Sequence, residues 1–257
     1  MHHRPIPHLP NPHRQLRVPA AGGDSFGQRA GEYRQVRPDY PDAILSAVCS
    51  HRPHTAVDIG AGTGIFTAQL QSHVNEVIAV EPDADLAAEL AKRGIRVARA
   101  TGERTGLTAS CADLVSYAQA WHWVEPTYAS MEAARILRPD GILALVWNQL
   151  DVSRPWVHRL ARIMRSGDVH PTRVAPQVAG PFELLGRELV HFTQQLSTPE
   201  VLALARTRSS YLQADAATGQ RMQANLLWYL REHLRFAPDQ PIGLPYLAVA
   251  WRYRREH

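Results

Sequence analysis

Cysteine is scarce: Cys49 and Cys111 are the only two in 257 residues, and no CxxC spacing joins them. A disulfide framework and a thiolate metal site are thereby excluded as organising features, and a reducing compartment fits. Lysine is scarcer still, Lys92 standing alone, so the positive charge is arginine's. Those arginines are scattered, with local clusters only in the first residues and at Arg252, Arg254 and Arg255. The net charge of +4 therefore reads as a solvated surface, and nucleic acid is not expected as a partner. Apolar runs are short as well. The longest, such as Ile142 to Trp147, are strand-sized and far from the ~20 residues that span a bilayer, so no membrane partner is expected. Residues 1–24 lack the apolar stretch of a signal peptide and the amphipathic period of a transit peptide. They read as a flexible tail on a cytoplasmic protein. The tail's His2, His3, His8 and His13 have no preformed geometry to orient them on an ion, and no metal is expected.

What the chain does have is a hydrophobic fraction of 45%, enough to bury a sizeable core. From Thr55 onward, short β-branched runs alternate with longer stretches of helical spacing, the signature of βαβ units around a parallel sheet. Strands are expected at Ala56 to Ile59, Val77 to Val80, Arg96 to Ala98, Leu114 to Ala118 and Ile142 to Trp147. Helices are expected at Phe66 to His73, Asp83 to Arg93 and Thr127 to Leu137. Gly94 should end the second of these. Ahead of this core, Phe26 to Val36 and Pro41 to Ser50 read as two leading helices. Beyond Asp151 the pattern changes: a helix at Pro155 to Ser166, a Pro-rich loop at Val169 to Pro181, a strand at Leu189 to Leu196, helices at Pro199 to Thr207 and Ala217 to Phe236, and a last strand at Leu244 to Tyr253.

The segment Val57-Asp58-Ile59-Gly60-Ala61-Gly62-Thr63-Gly64 sets three glycines between a strand and a helix. Glycine permits unusual backbone angles there and lets the main chain approach a ligand closely. A dinucleotide site would have a GxGxxG spacing, but the positions of its last glycine are held by Ile65 or Thr67, so the loop is GxGxG. Glu81 ends the second strand about 20 residues on, where this topology sets a ribose-binding acid. A carboxylate accepts bonds from two vicinal hydroxyls at once. The other reading of Glu81, a cap on the helix starting near Pro82, stays open, and the loop favours ribose.

This GxGxG loop, with Asp58 two residues before it, resembles motif I of the class I methyltransferases. Two further segments resemble a type 11 group that includes trans-aconitate methyltransferase-like proteins. One is Phe26 to Tyr33 followed by Arg37-Pro38-Asp39-Tyr40-Pro41; the other is Ala118-Gln119-Ala120-Trp121-His122-Trp123. Arg138-Pro139-Asp140-Gly141 resembles the group's turn before the fifth strand, and the likeness spans Phe26 to Asn148. It implies an α/β, Rossmann-like, doubly wound sheet of seven strands, the last antiparallel, with a helical lid or insert. Residues 25–150 would form the S-adenosylmethionine-binding core with its N-terminal lid helices. Residues 151–243 would cover the substrate, and residues 244–257 would supply the final strand and a basic C-terminus.

The resemblance carries the site with it. S-adenosylmethionine would be held by Asp58, Gly60, Ala61, Gly62, Gly64, Glu81 and Pro82, by Thr101, Gly102 and Glu103 at the adenine end, and by Gln119, Trp121 and Arg37. The group's usual adenine-end aspartate is replaced by Thr101. His122 is a candidate general base, since histidine titrates near neutrality, and Tyr33 a candidate catalytic group closing the pocket. A structural or cofactor-positioning role for His122 stays open, and a carboxylate acceptor would need no base. The expected reaction is methylation of a small molecule at oxygen or nitrogen. Intramolecular cyclisation releasing methylthioadenosine, a nucleic-acid methyltransferase and a non-catalytic cofactor-binding module are the alternatives. Monomer and homodimer are both open.

Overall fold

A computed structural model describes residue 31, residues 33–165 and residues 170–256; the expected tail and most of the leading helix at Phe26 to Val36 lie outside the described residues. Seven strands form one sheet in the order β3-β2-β1-β4-β5-β7-β6. They are β1 Thr55–Ile59, β2 Glu76–Val80, β3 Arg96–Ala98, β4 Ala112–Ala118, β5 Leu137–Leu150, β6 Phe182–Leu196 and β7 Ile242–Arg255. Strands β1 to β5 pair in parallel, and β7 runs antiparallel between β5 and β6. The expected fold is the observed one. Strand β1 is buried at every position, which is why it shows no alternation of apolar and polar residues; its one charged side chain, Asp58, is buried with the rest.

The helices are α1 Asp42–Val48, α2 Ile65–Leu70, α3 Ala84–Lys92, α4 Pro126–Ile136, α5 Pro155–Ile163, α6 Thr198–Arg206, α7 Ser209–Leu212 and α8 Ala216–Trp228. Ile44, Val48, Phe66 and Leu70 of α1 and α2 pack on one face of the sheet. Ala129, Ala133 and Ile136 of α4 pack on the other. A further core joins Val157 and Leu160 of α5, Leu204 of α6 and Leu226 of α8 to Leu150, Leu244 and Tyr246, with Val36 from the N-terminal segment inserted.

Three elements depart furthest from the expected bounds, by five residues or more, each for a local reason. Strand β5 begins at Leu137 because the Arg138-Pro139-Asp140-Gly141 turn is folded into it; Asp140 adopts φ 63°, and β4 shifts register at Ala112 and Leu114. Strand β6 begins at Phe182 instead of Leu189. A bulge between Leu184 and Gly186, the latter at φ 145°, breaks the two-residue period on which a strand is read. The helix expected through Phe236 leaves α-geometry at Trp228 for one wider turn, Tyr229–His233. No helix among the described residues is long and apolar enough to cross a membrane.

Candidate functional site

The strand order reverses between β1 and β4, and in such sheets the crevice outside the carboxyl ends at that point is where ligands gather. The glycine loop leaves β1 there. Gly60, Gly62 and Gly64 all have positive φ, at 69°, 57° and 78°. Their surroundings divide the labour. A Cβ on Gly60 would meet the Ala120 Cβ at 2.6 Å, and one on Gly64 the Leu90 Cδ2 at 2.5 Å. A Cβ on Gly62 would find nothing nearer than the Gly60 carbonyl oxygen at 4.0 Å. Gly60 and Gly64 are thus packing glycines, and Gly62 is the one whose outer face is open to a ligand.

Glu81 governs this loop directly. It is buried, and Gly62 N–H donates to its Oε2 at 2.7 Å while Asp83 N–H donates to its Oε1 at 3.0 Å. The cap of α3 is Asp83, which accepts from the N–H groups of Asp85 and Leu86. Burial pushes the Glu81 carboxyl above its ordinary range, against the two backbone donors that favour the charged form. A carboxylate offers about four acceptor positions, so two stay available for vicinal hydroxyls.

Asp58 works from beneath. Its Oδ2 accepts from Thr67 Oγ1 at 2.6 Å and its Oδ1 from Ser116 Oγ at 2.8 Å, tying β1 to α2 and β4. Burial raises this carboxyl to about 6. Behind the loop, Arg93 Nη1 donates to the Thr63 carbonyl at 2.7 Å.

Thr101, Gly102 and Glu103 come to the same edge after β3. Thr101 is exposed and bridges Arg104. Gly102 is wedged among Val124, Ile59 and Tyr117, and its carbonyl accepts from Tyr117 Oη at 3.1 Å. Glu103 Oε1 accepts from Glu125 N–H at 3.0 Å, joining this turn to the tail of β4. Pro82 is exposed between Glu81 and Asp83.

That tail carries Gln119, at the left-handed φ of 58°, with Gln119 N–H donating to the Val146 carbonyl at 2.8 Å and its side-chain amide to the Asn148 carbonyl. The turn Trp121–Trp123 follows. Trp121 is buried edge-on against Tyr117 at 4.8 Å between centroids, whereas His122 is exposed. The His122 ring lies 4.9 Å from that of His170, a residue with no sequence signature, from the loop after α5. His170 is clamped to Gln149: its N–H donates to Gln149 Oε1 at 2.7 Å, and Gln149 Nε2 donates to its carbonyl at 3.1 Å. Thr67, Ser116 and Gln149 also escaped the sequence reading, being common polar residues in no motif.

Tyr33 and Arg37 stand on the N-terminal segment, with the Arg37 guanidinium 4.9 Å over the Tyr33 ring. Arg37 donates to Thr207 Oγ1 at 3.0 Å and to the Thr207 carbonyl at 3.1 Å, so it joins this segment to the end of α6. Among the described residues no group of three or more His, Cys, Asp or Glu side chains is disposed to hold a metal ion.

The profile of the family described as a methyltransferase domain matches residues 57–145. An uncharacterized methyltransferase of Mycobacterium tuberculosis is 33% identical over 231 residues, covering 89% of this chain and 94% of its own length. An uncharacterized methyltransferase of Schizosaccharomyces pombe is 27% identical over 241 residues, covering 89% and 96%. In fold, the chain is similar to a protein of Anaeromyxobacter dehalogenans assigned as a type II methyltransferase, with a TM-score of 0.62 and 23% identity over 86% of this chain and 99% of that one. Sequence likeness along nearly the whole length of the mycobacterial relative, on this sheet order, settles the family: the chain belongs to the class I S-adenosylmethionine-dependent methyltransferases and is an enzyme of that kind.

Proposed function

We propose that S-adenosylmethionine lies across the glycine loop and Glu81, and that its methyl group passes to the oxygen or nitrogen of a small molecule. The observation that carries this reading is the pairing of an open face at Gly62 with a buried carboxylate that still has acceptor positions to spare. Bound there, the cofactor supplies an electrophilic methyl carbon on a sulfonium. The protein's own groups do the rest. Glu81 receives the ribose hydroxyls, Gly62 lets the methionine portion approach the main chain, and Thr101, Gly102 and Glu103 border the adenine. Asp58 and Arg93 brace the loop from below and behind. Gln119, Trp121 and His122 border the transferring end, and Tyr33 with Arg37 closes it from the N-terminal side. Residues 151–243 cover the acceptor, their separate core at the carboxyl end of β5 being what supports that role. Holding acceptor and methyl carbon in line within ~3–3.5 Å supplies much of the rate.

Calorimetry with S-adenosylhomocysteine tests the reading. The wild type should bind it, and Gly62→Arg, which fills the open face, should lose measurable binding while its circular dichroism stays that of the wild type. Unchanged affinity in that variant would move the site elsewhere.

A further inference from the structure

Four rings stand in file at the carboxyl edge of β4 and β5. Trp147 to His170 is 5.3 Å between centroids, His170 to His122 is 4.9 Å and His122 to Trp123 is 4.8 Å. The file runs from Trp147, 4% exposed on β5, to Trp123, 55% exposed. Its third ring comes near the cofactor loop in the chain, because Ala120, two residues before His122, is the residue on which Gly60 closes. Its members come from three separate parts of the chain, and the Gln149 clamp on the His170 backbone fixes the middle one.

Such a wall has a definite chemical preference. Flat rings at these spacings attract further flat rings, in tilted or offset contact, beyond what burial alone gives. The wall's own polar atoms are ring nitrogens: the indole donor of exposed Trp123, that of Trp147 being buried, and two imidazoles, which can donate or accept a hydrogen bond. None of the four side chains is a guanidinium or an ammonium, the groups that bind a carboxylate in two-pronged fashion. We infer that the acceptor is a planar aromatic or conjugated hydroxyl compound, lying against the exposed end of this ring file and giving its proton to the His122 and His170 pair. This rests on the function proposed above. The balance is simple: the acceptor oxygen uses a lone pair to bond the methyl carbon, the carbon–sulfur pair stays on sulfur, and the hydroxyl proton passes to an imidazole nitrogen. The positive charge that begins on sulfur ends on imidazole. His170 would then be a specificity residue from outside the part of the chain that matches the family profile.

The test is calorimetry with 2-naphthol, and separately with trans-aconitate, titrated into protein saturated with S-adenosylhomocysteine. Binding of 2-naphthol is expected, weakened at least tenfold in Trp123→Ala and in His170→Ala. His170→Phe, which keeps a ring in the file, should restore most of the affinity, and His122→Phe should bind 2-naphthol yet transfer methyl to it at least a hundredfold more slowly. Binding of trans-aconitate without 2-naphthol, or 2-naphthol affinity indifferent to Trp123 and His170, would overturn the inference. If S-adenosylhomocysteine itself fails to bind while 2-naphthol still does, the wall stands and the cofactor reading falls.

Discussion

Asp58 holds a carboxylate where water cannot reach it, with two hydroxyl donors that favour its charged form and burial that opposes it more strongly. Its folded pKa of about 6 lies above the ordinary 3.8. Between those values the native protein binds a proton that the unfolded chain does not. The contribution of this group to stability is therefore full below the ordinary value and is lost as pH rises through about 6. At 1.36 kcal/mol per pH unit, the loss amounts to about 3 kcal/mol. Asp58→Asn removes the charge but keeps the shape, and the Thr67 and Ser116 hydroxyls can turn to accept from an amide. Urea unfolding at pH 4 and pH 7.5 should show Asp58→Asn gaining about 3 kcal/mol on the wild type across that interval. A gap between the two proteins that is the same at both pH values would refute the assignment. The acid was legible in the sequence from its place before the glycines. Its partners were not, because a threonine nine residues on and a serine on another strand leave no local pattern.

At the scale of elements, the turn that follows β3 is held by α4. Glu132 of α4 is buried, and its Oε1 accepts from Thr105 N–H at 2.8 Å and from Arg135 Nη2 at 2.7 Å, as well as from the Thr105 hydroxyl. Together these donors hold its carboxyl near 2 despite burial, so its contribution is present above the ordinary 4.5 and survives throughout the neutral range. Glu132→Ala should cost about 2–3 kcal/mol at pH 7, the worth of charged hydrogen bonds whose partners are left unpaired. Hydrogen exchange should also quicken in residues 100–107. A loss under ~0.5 kcal/mol would mean the turn is held by other contacts. The central strands were legible because burial on both faces makes them predominantly apolar and β-branched, with a polar residue only here and there. Edge strand β6 was legible only from Leu189 on, since the bulge at Gly186 reverses which side chains face inward. His170 stands in a stretch of sequence with no periodicity, and tertiary contacts, its pairing with Gln149 among them, place it beside His122.

Across the whole molecule, the segment from Tyr33 to Tyr40 acts as a strap between two cores. Val36 is inserted in the core built by residues 151–243, where Gln194 Nε2 donates to the Val36 carbonyl at 3.0 Å. Four residues later, Tyr40 packs edge-on to Phe66 of α2 and exchanges hydrogen bonds with Gln69. Between them, Asn148 at the end of β5 donates to the carbonyls of Pro38 and Asp39. The strap thus connects the helix that leaves the glycine loop to the region proposed to cover the acceptor. Arg37 is its outer fastening, through Thr207. Because the sheet's own hydrogen bonds lie elsewhere, releasing that fastening should loosen the strap without unfolding the protein, as local openings do when few contacts secure a segment. Arg37→Ala should accelerate amide exchange in residues 33–40 and near Thr207, leave β1 and β4 protected, and weaken S-adenosylhomocysteine by a factor of about 3–10, the affinity lost when the competent state is only fractionally populated. Exchange that rises equally through the sheet would mean Arg37 supports the fold as a whole. Exchange confined to the strap with unchanged affinity would show that strap and cofactor loop move independently.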